Sequence, residues 1–233
     1  MSERSLSSEF DAALQSGNTG GKPGILPLFA TPLVVFDVPE AAALNVELRR
    51  VIEEREKTQA STNFSNLGGW QSSDDMDHWG GPAAIKLLSW GRNVASRVTT
   101  DAKGTPNQGP HPGLQLTWKG NMWANGNRSG DANNLHSHPG AFWSAVYYVD
   151  DGGIGADPSL GGELEFLDPR GALSAMYAPQ LRVAMPGGRS AGGFERVLPK
   201  IGRIVMFPSW VQHQVRRYRG SAVRISIAFN LAT

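Results

Sequence analysis

Two histidines one residue apart, His136 and His138, stand in the stretch Asn-Leu-His-Ser-His-Pro at residues 134–139. On a strand, side chains at i and i+2 leave from the same face. Both imidazoles can therefore point at one atom, with Ser137 turned away. A third histidine, His213, closes the later block Phe-Pro-Ser-Trp-Val-Gln-His at residues 207–213. Three imidazoles converging from two separate strand ends form a site for a divalent transition metal. Eleven residues beyond His213 comes Arg224, in Arg-Ile-Ser-Ile-Ala-Phe-Asn. There Arg224, Ser226, Ala228 and Asn230 share one strand face, and Val223, Ile225, Ile227 and Phe229 the other. The apolar face must be buried, so the opposite face carries its arginine inward. A buried arginine is costly unless an anion accompanies it. Either a local carboxylate, Glu163 or Glu165, or the carboxylate of a bound ligand supplies that anion.

Several elements are available to hold these side chains. Residues 28–38 include the strand-like run Pro-Leu-Val-Val-Phe-Asp-Val. A helix opens at Pro39, with Leu44, Leu48, Val51 and Ile52 at helical spacing. A second helix begins at Pro82, proline being suited to a first helical position, and its inner stripe is Leu87, Leu88, Gly91, Ala95 and Val98. Between the helices, residues 63–81 read as a solvated loop, in which Asp74, Asp75, Asp77 and His78 have nothing to fix a metal geometry. Residues 101–113 read as a Pro/Gly loop with His111 at the surface. Alternation of Leu114, Leu116 and Trp118 with polar residues predicts a strand, followed by a polar turn around residues 123–127. Further strands are expected at 143–149, 163–167, 203–207, 213–218 and 223–231. Short strands separated by turn signals indicate a sandwich or barrel. Residues 171–196, rich in glycine, are long for a hairpin loop and read as a lid-like insertion.

Bulk composition narrows the field. Lysine plus arginine (22) nearly balance aspartate plus glutamate (21) in 233 residues, so no basic field argues for nucleic acid or an anionic membrane. There is no cysteine, which removes thiolate nucleophiles, iron–sulfur clusters and disulfide scaffolds. No apolar run has the ~18 residues of a membrane span, and residues 1–11 lack a signal-peptide core. A cytoplasmic protein is expected. Residues 1–24 read as a flexible N-terminal leader, and residues 25–233 as one domain.

Taken together, Asn-Leu-His-Ser-His-Pro, Ser-Ala-Val-Tyr-Tyr-Val, Glu-Phe-Leu-Asp-Pro-Arg, Phe-Pro-Ser-Trp-Val-Gln-His and Arg-Ile-Ser-Ile-Ala-Phe-Asn resemble the iron(II)- and 2-oxoglutarate-dependent oxygenases. More narrowly, they resemble a bacterial and phage subfamily with a His-x-His-Pro motif, and Leu-Phe-Ala-Thr-Pro-Leu and Asn-Leu-Gly-Gly-Trp-Gln-Ser extend the likeness over residues 28–231. The resemblance implies a mainly β fold, a double-stranded β-helix or jelly roll, with N-terminal helices packed on one sheet. It implies Fe(II), 2-oxoglutarate as cosubstrate and O2, and hydroxylation of a C–H bond. His136 and His213 would ligate iron. Arg224 would hold the distal carboxylate of 2-oxoglutarate through paired hydrogen bonds, with Ser226 adding a hydroxyl. Asn125, Tyr148 and Trp123 would line the same pocket, and Phe142, Trp143, Trp210 and residues 171–196 could shape it. The expected partners are a small-molecule or peptide substrate, with a homodimer as an open assembly state.

At one position the chain departs from that family. Where most of the superfamily has a carboxylate, this chain has His138, and the usual facial triad is two histidines and one carboxylate. Three-histidine ligation by His136, His138 and His213 is the favoured reading. A carboxylate from elsewhere, such as Asp131, is the second. The third makes His138 the first ligand and leaves a vacant position at Gly140. Two broader rivals remain: a cupin-like metalloenzyme that does not use 2-oxoglutarate, and a non-catalytic jelly-roll binding protein.

Overall fold

The computed structural model describes residues 29–100, 116–171, 178–185 and 189–233. The expected leader, the loop at 101–113 with His111, and Leu114 lie outside these residues. Among the described residues, no helix is long and apolar enough to cross a membrane.

Two amphipathic helices form where the apolar spacing predicts them. Helix α1 (Ala41–Thr58) buries Leu44, Leu48 and Ile52. Its basic last turn, Arg55 and Lys57, suits the negative end of the helix dipole. The chain then turns extended at Gln59, whose N–H still reaches the Arg55 carbonyl. A short helix α2 (Met76–Trp79) precedes α3 (Gly81–Val98), which has a proline in its first turn and buries Ala84, Leu87, Leu88, Gly91, Val94 and Ala95.

Strands make up most of the rest. In chain order they are β1 (Val34–Asp37), β2 (Asn66–Leu67), β3 (Trp70–Gln71), β4 (Lys119–Asn127), β5 (Ala132–His136), β6 (Trp143–Asp150) and β7 (Leu164–Leu167). They continue with β8 (Val183–Met185), β9 (Arg189–Ala191), β10 (Phe194–Val197), β11 (Arg203–Pro208), β12 (His213–Val215) and β13 (Arg224–Ala232). The larger sheet has the order β1-β11-β6-β13-β4-β3 and the smaller β10-β7-β12-β5-β2. Neighbours in both are antiparallel. Strands β8 and β9 pair as a hairpin of their own, in a separate compact unit that includes residues 170–193.

The central strand of the larger sheet, β13, lies between β6 and β4. Its apolar face, Ile225, Ile227, Phe229 and Leu231, is buried in one core with Leu48 and Ile52 of α1 and Leu87 and Leu88 of α3. Each such side chain contributes about 1.5–3 kcal/mol on burial. Helix α3 approaches so closely that a Cβ on Gly91 would lie 2.4 Å from Cε2 of Phe229. A second core joins the sheets: Tyr148, Val205 and Phe207 of the larger pack with Leu164 and Phe166 of the smaller, together with Val211. The result is the double-stranded β-helix with helices on one sheet.

Three local expectations change. Residues 123–127 are not a polar turn: they continue β4, and the turn falls later, where the Asp131 N–H bonds the Arg128 carbonyl. The loop at 63–81 contains β2, β3 and α2. Residues 194–196, assigned above to the insertion, belong to β10 and pair with β7. Residues 172–177 and 186–188 of that stretch lie outside the described residues.

Candidate metal and cosubstrate site

The three histidines meet. His136 ends β5 and His213 opens β12, and the two are register partners across the smaller sheet. His138 lies two residues past the end of β5, outside the strand, where its N–H bonds the Ser209 carbonyl at 2.9 Å. That bond ties the His138 loop to the end of β11, doing what strand pairing was expected to do. Ring centroids are 4.9 Å apart for His136–His138, 4.4 Å for His136–His213 and 5.1 Å for His138–His213. One potential ligand atom from each ring lies within 4.8 Å of the others, and among the described residues no carboxylate joins the group.

Hydrogen bonds fix two of the tautomers. Nδ1 of His136 lies 2.7 Å from the Asn134 carbonyl, and Nδ1 of His213 lies 2.9 Å from that of Val211. A carbonyl only accepts, so each Nδ1 carries the proton and each Nε2 keeps a free lone pair. This is the arrangement that orients a metal-binding imidazole. Burial reinforces it. It lowers the His136 pKa below the ordinary imidazole value. It takes His138 down to about 4, helped by the neighbouring His136. His213 falls to about 3, again mainly through burial. All three are neutral near pH 7, as a divalent cation requires.

Across a cavity of about 540 Å³ stands the inner face of β13, with Arg224, Ser226, Ala228 and Asn230 all lining it. Arg224 is 1 % exposed. Its Nη1 donates to Asn127 Oδ1 at 3.0 Å and to Ser226 Oγ at 3.2 Å, both neutral acceptors. Among the described residues its Nε has no hydrogen-bond partner, nor has the buried hydroxyl of Tyr148 beside it. The guanidinium carbon sits 5.3 Å from the Tyr148 ring centroid. Burial raises the Tyr148 phenol above its usual pKa, so it stays a donor.

The local salt bridge considered for Arg224 does not form. Glu165 is bound instead by Arg196 Nε at 2.5 Å, Arg216 Nη1 at 3.1 Å and Gln214 Nε2 at 2.6 Å. Glu163 lies 3.9 Å from Arg216. A buried guanidinium facing three neutral imidazoles, with unpaired donors beside it, fits an anionic ligand that also reaches a metal.

Of the other expected residues, Asn125 and Trp123 line the cavity, and Ser226 pairs with Asn125 on one side and Tyr148 on the other. Asp131 does not line it, and one of its carboxylate oxygens accepts from the Arg128 N–H at 2.6 Å. Phe142, Trp143 and Trp210 are also absent from its walls. Trp143 faces the helices and donates to Thr99 Oγ1 at 2.8 Å, because strand alternation on β6 turns it away from the cavity. Asn127, Asn121 and Gln71 were missed. Recognising residues 119–127 as a strand would have placed Asn121, Trp123, Asn125 and Asn127 on one face.

Residues 121–230, which contain all of these side chains except Gln71, match the family described as "Putative 2OG-Fe(II) oxygenase". Over those residues the chain has the sequence of a 2OG-Fe(II) oxygenase. It is an iron(II)- and 2-oxoglutarate-dependent oxygenase. No curated protein matches it in sequence. Among solved structures, a Pseudomonas putida prolyl-4-hydroxylase is 16 % identical over 87 % of this chain and 93 % of that one, with a TM-score of 0.55. A Trichoplax adhaerens prolyl hydroxylase, solved with a hypoxia-inducible-factor peptide fragment, is 13 % identical over 100 % of this chain and 94 % of that one, TM-score 0.58. HygX from Streptomyces hygroscopicus, with nickel and 2-oxoglutarate bound, is 10 % identical over 87 % and 83 %, TM-score 0.52. At these identities the likeness is one of fold.

Proposed function

We propose that this oxygenase hydroxylates a C–H bond of a small-molecule or peptide substrate, with His136, His138 and His213 as the three iron ligands and Arg224 as the anchor of 2-oxoglutarate. The observation that carries the assignment is Arg224: buried, without a carboxylate partner among the described residues, and facing the histidine cluster across one cavity. A cupin-like enzyme without 2-oxoglutarate has no use for such a residue. Bound at the histidines, iron(II) together with 2-oxoglutarate and O2 supplies the family's oxidising chemistry, which ends in succinate, carbon dioxide and hydroxylated substrate.

The chain's own groups do the rest. Arg224 and Ser226 hold a carboxylate from the wall of the cavity, and Tyr148 and Asn125 add hydrogen bonds beside them. The carbonyls of Asn134 and Val211 keep the lone pairs of His136 and His213 available. Apolar Val146, Leu164 and Phe207 line the floor and limit water.

Calorimetry of the Mn(II)-loaded protein with 2-oxoglutarate tests the reading, followed by succinate release with iron present. Metal binding without any 2-oxoglutarate affinity would defeat it.

A further inference from the structure

The cavity continues past the histidines, on the side away from Arg224. Register on the inner face sets the order of rows. Arg224 pairs with Asn127, Ser226 with Asn125 and Tyr148, Ala228 with Trp123 and Val146, and Asn230 with Asn121 and Ser144. At ~3.4 Å per residue, the Asn230 row is roughly 20 Å along the strand from Arg224. The histidines lie nearer the Trp123 row, since the Trp123 and His138 rings are 5.6 Å apart. Cosubstrate held by Arg224 and reaching the histidines leaves the Asn230 row to the substrate.

Two carboxamides face each other there, and each is oriented. Asn121 Nδ2 donates to Asp74 Oδ2 at 3.0 Å. A carboxylate only accepts, so Asn121 must present its Oδ1 to the cavity as an acceptor. Ser144 Oγ donates to Asn230 Oδ1 at 2.8 Å, which turns Asn230 Nδ2 outward as a donor. Cross-strand neighbours of this kind have Cβ atoms about 4.5–5.5 Å apart. One donor and one acceptor therefore stand side by side on a rigid sheet, and both groups line the cavity.

Charge narrows the ligand further. Among the described residues, Arg224 is the only lysine or arginine lining the cavity, and Asp74 at the rim is the only acid. With Arg224 committed to cosubstrate, a phosphate or carboxylate on the substrate would meet no cation and would face Asp74. A neutral group that accepts from Asn230 and donates to Asn121 meets neither penalty. Exposed Phe64 and Leu135 border the same mouth and offer apolar contact.

We propose that the substrate presents an uncharged amide to this pair, its C=O to Asn230 Nδ2 and its N–H to Asn121 Oδ1. Two sources share that chemistry, a peptide backbone amide and the side-chain carboxamide of an amino acid. The assignment rests on the cosubstrate reading of Arg224.

The test uses the full chain loaded with Mn(II). Affinity for 2-oxoglutarate is measured first by calorimetry; its absence overturns both readings. Four probes are then titrated into the Mn(II)·2-oxoglutarate protein, followed by calorimetry and water-proton relaxation. They are N-acetyl dipeptide amides, the same compounds with an ester in place of the central amide, free asparagine and glutamine, and nucleosides. Binding of the dipeptide amides with at least about tenfold loss in the esters, which lack the N–H, identifies the backbone source. Binding of asparagine or glutamine alone identifies the side-chain source. Asn230→Asp keeps the Ser144 hydrogen bond but replaces donor by acceptor, and should weaken the binding probe about tenfold or more. Asp74→Asn frees Asn121 to turn over and should weaken it too. Retained 2-oxoglutarate binding with no amide affinity, preference for nucleosides, or indifference to both variants overturns the amide assignment alone.

Discussion

Replacing Arg224 by methionine separates stability from cosubstrate binding, and the structure sets the sign of each effect. The side chain is 1 % exposed, and its hydrogen bonds go to two neutral oxygens. Burial pushes its pKa down, the signature of a cation stripped of water. Replacing buried charges by apolar groups of similar volume is often neutral or stabilising by about 1–4 kcal/mol. Here Asn127 and Ser226 lose a donor, which returns about 1 kcal/mol. The ligand-free Arg224→Met protein should therefore melt no lower than the parent, and up to several degrees higher, at about 2–4 °C per kcal/mol for a chain of this size. Binding moves the other way. Losing one partner of a buried charge pair costs about 2–5 kcal/mol. At about 1.4 kcal/mol per factor of ten, 2-oxoglutarate affinity should fall roughly 25-fold to 4,000-fold. Calorimetry with Mn(II)-loaded protein gives the affinity, and thermal melts with and without 2-oxoglutarate give the stability. Parental affinity in the variant refutes the cosubstrate role. A ligand-free melting temperature many degrees below the parent refutes the view of Arg224 as an unpaired buried charge.

Three further outcomes are expected. His138→Ala should bind Co(II) or Mn(II) far more weakly than the parent, whereas His138→Asp should bind it well, because carboxylate suits a ligand position; equal binding by the parent and His138→Ala would remove His138 from the metal. For Glu165, burial raises the pKa but hydrogen bonds from Arg196, Gln214 and Arg216 outweigh it, leaving the carboxyl below its ordinary 4.5. Its contribution to stability is thus complete above pH 4.5 and lost as pH falls through the lower folded value, so acid melts of Glu165→Gln should show a shallower decline below pH 4.5 than the parent. Gly91→Ala should destabilise the fold by about 1–3 kcal/mol through overpacking, since the new methyl would sit 2.4 Å from Phe229; an unchanged melting temperature would show that α3 can withdraw from the sheet.

Much of the site was legible because its residues lie on strands whose alternation is strict. Period-2 patterning alone puts Arg224, Ser226, Ala228 and Asn230 on the inner face, and the core places Ile225, Ile227 and Phe229 on the opposite face. Residues 123–127 were harder. Gly126 between Asn125 and Asn127 reads as turn chemistry. Tertiary context overrides that propensity, because β4 pairs with β13 along nine residues. The error hid Asn121 and Asn127, both defined by what lies across the sheet. His138 illustrates a different limit. Spacing placed it correctly beside His136, but for a reason that fails, since the strand ends at His136. What holds it is a backbone bond to Ser209, some seventy residues along the chain, and no local pattern encodes such a contact.

The exchange of a carboxylate for His138 alters charge more than shape. Three neutral imidazoles leave a bound dication's charge whole, and Arg224 adds a third positive charge to a cavity whose only acid, among the described residues, is Asp74. That acid is already engaged by Asn121 and sits at the rim. The cavity with metal thus carries an excess of positive charge that the doubly charged 2-oxoglutarate offsets in large part. A carboxylate-bearing relative has one charge less to offer the same anion. The extra attraction acts in a low-dielectric enclosure, where it is screened far less than at the surface. Burial keeps the three histidines unprotonated, so they add no charge of their own before metal arrives. Metal and cosubstrate are thereby coupled: each makes the cavity more hospitable to the other, and the protein's part is to hold both partners' sites dry and oriented in advance.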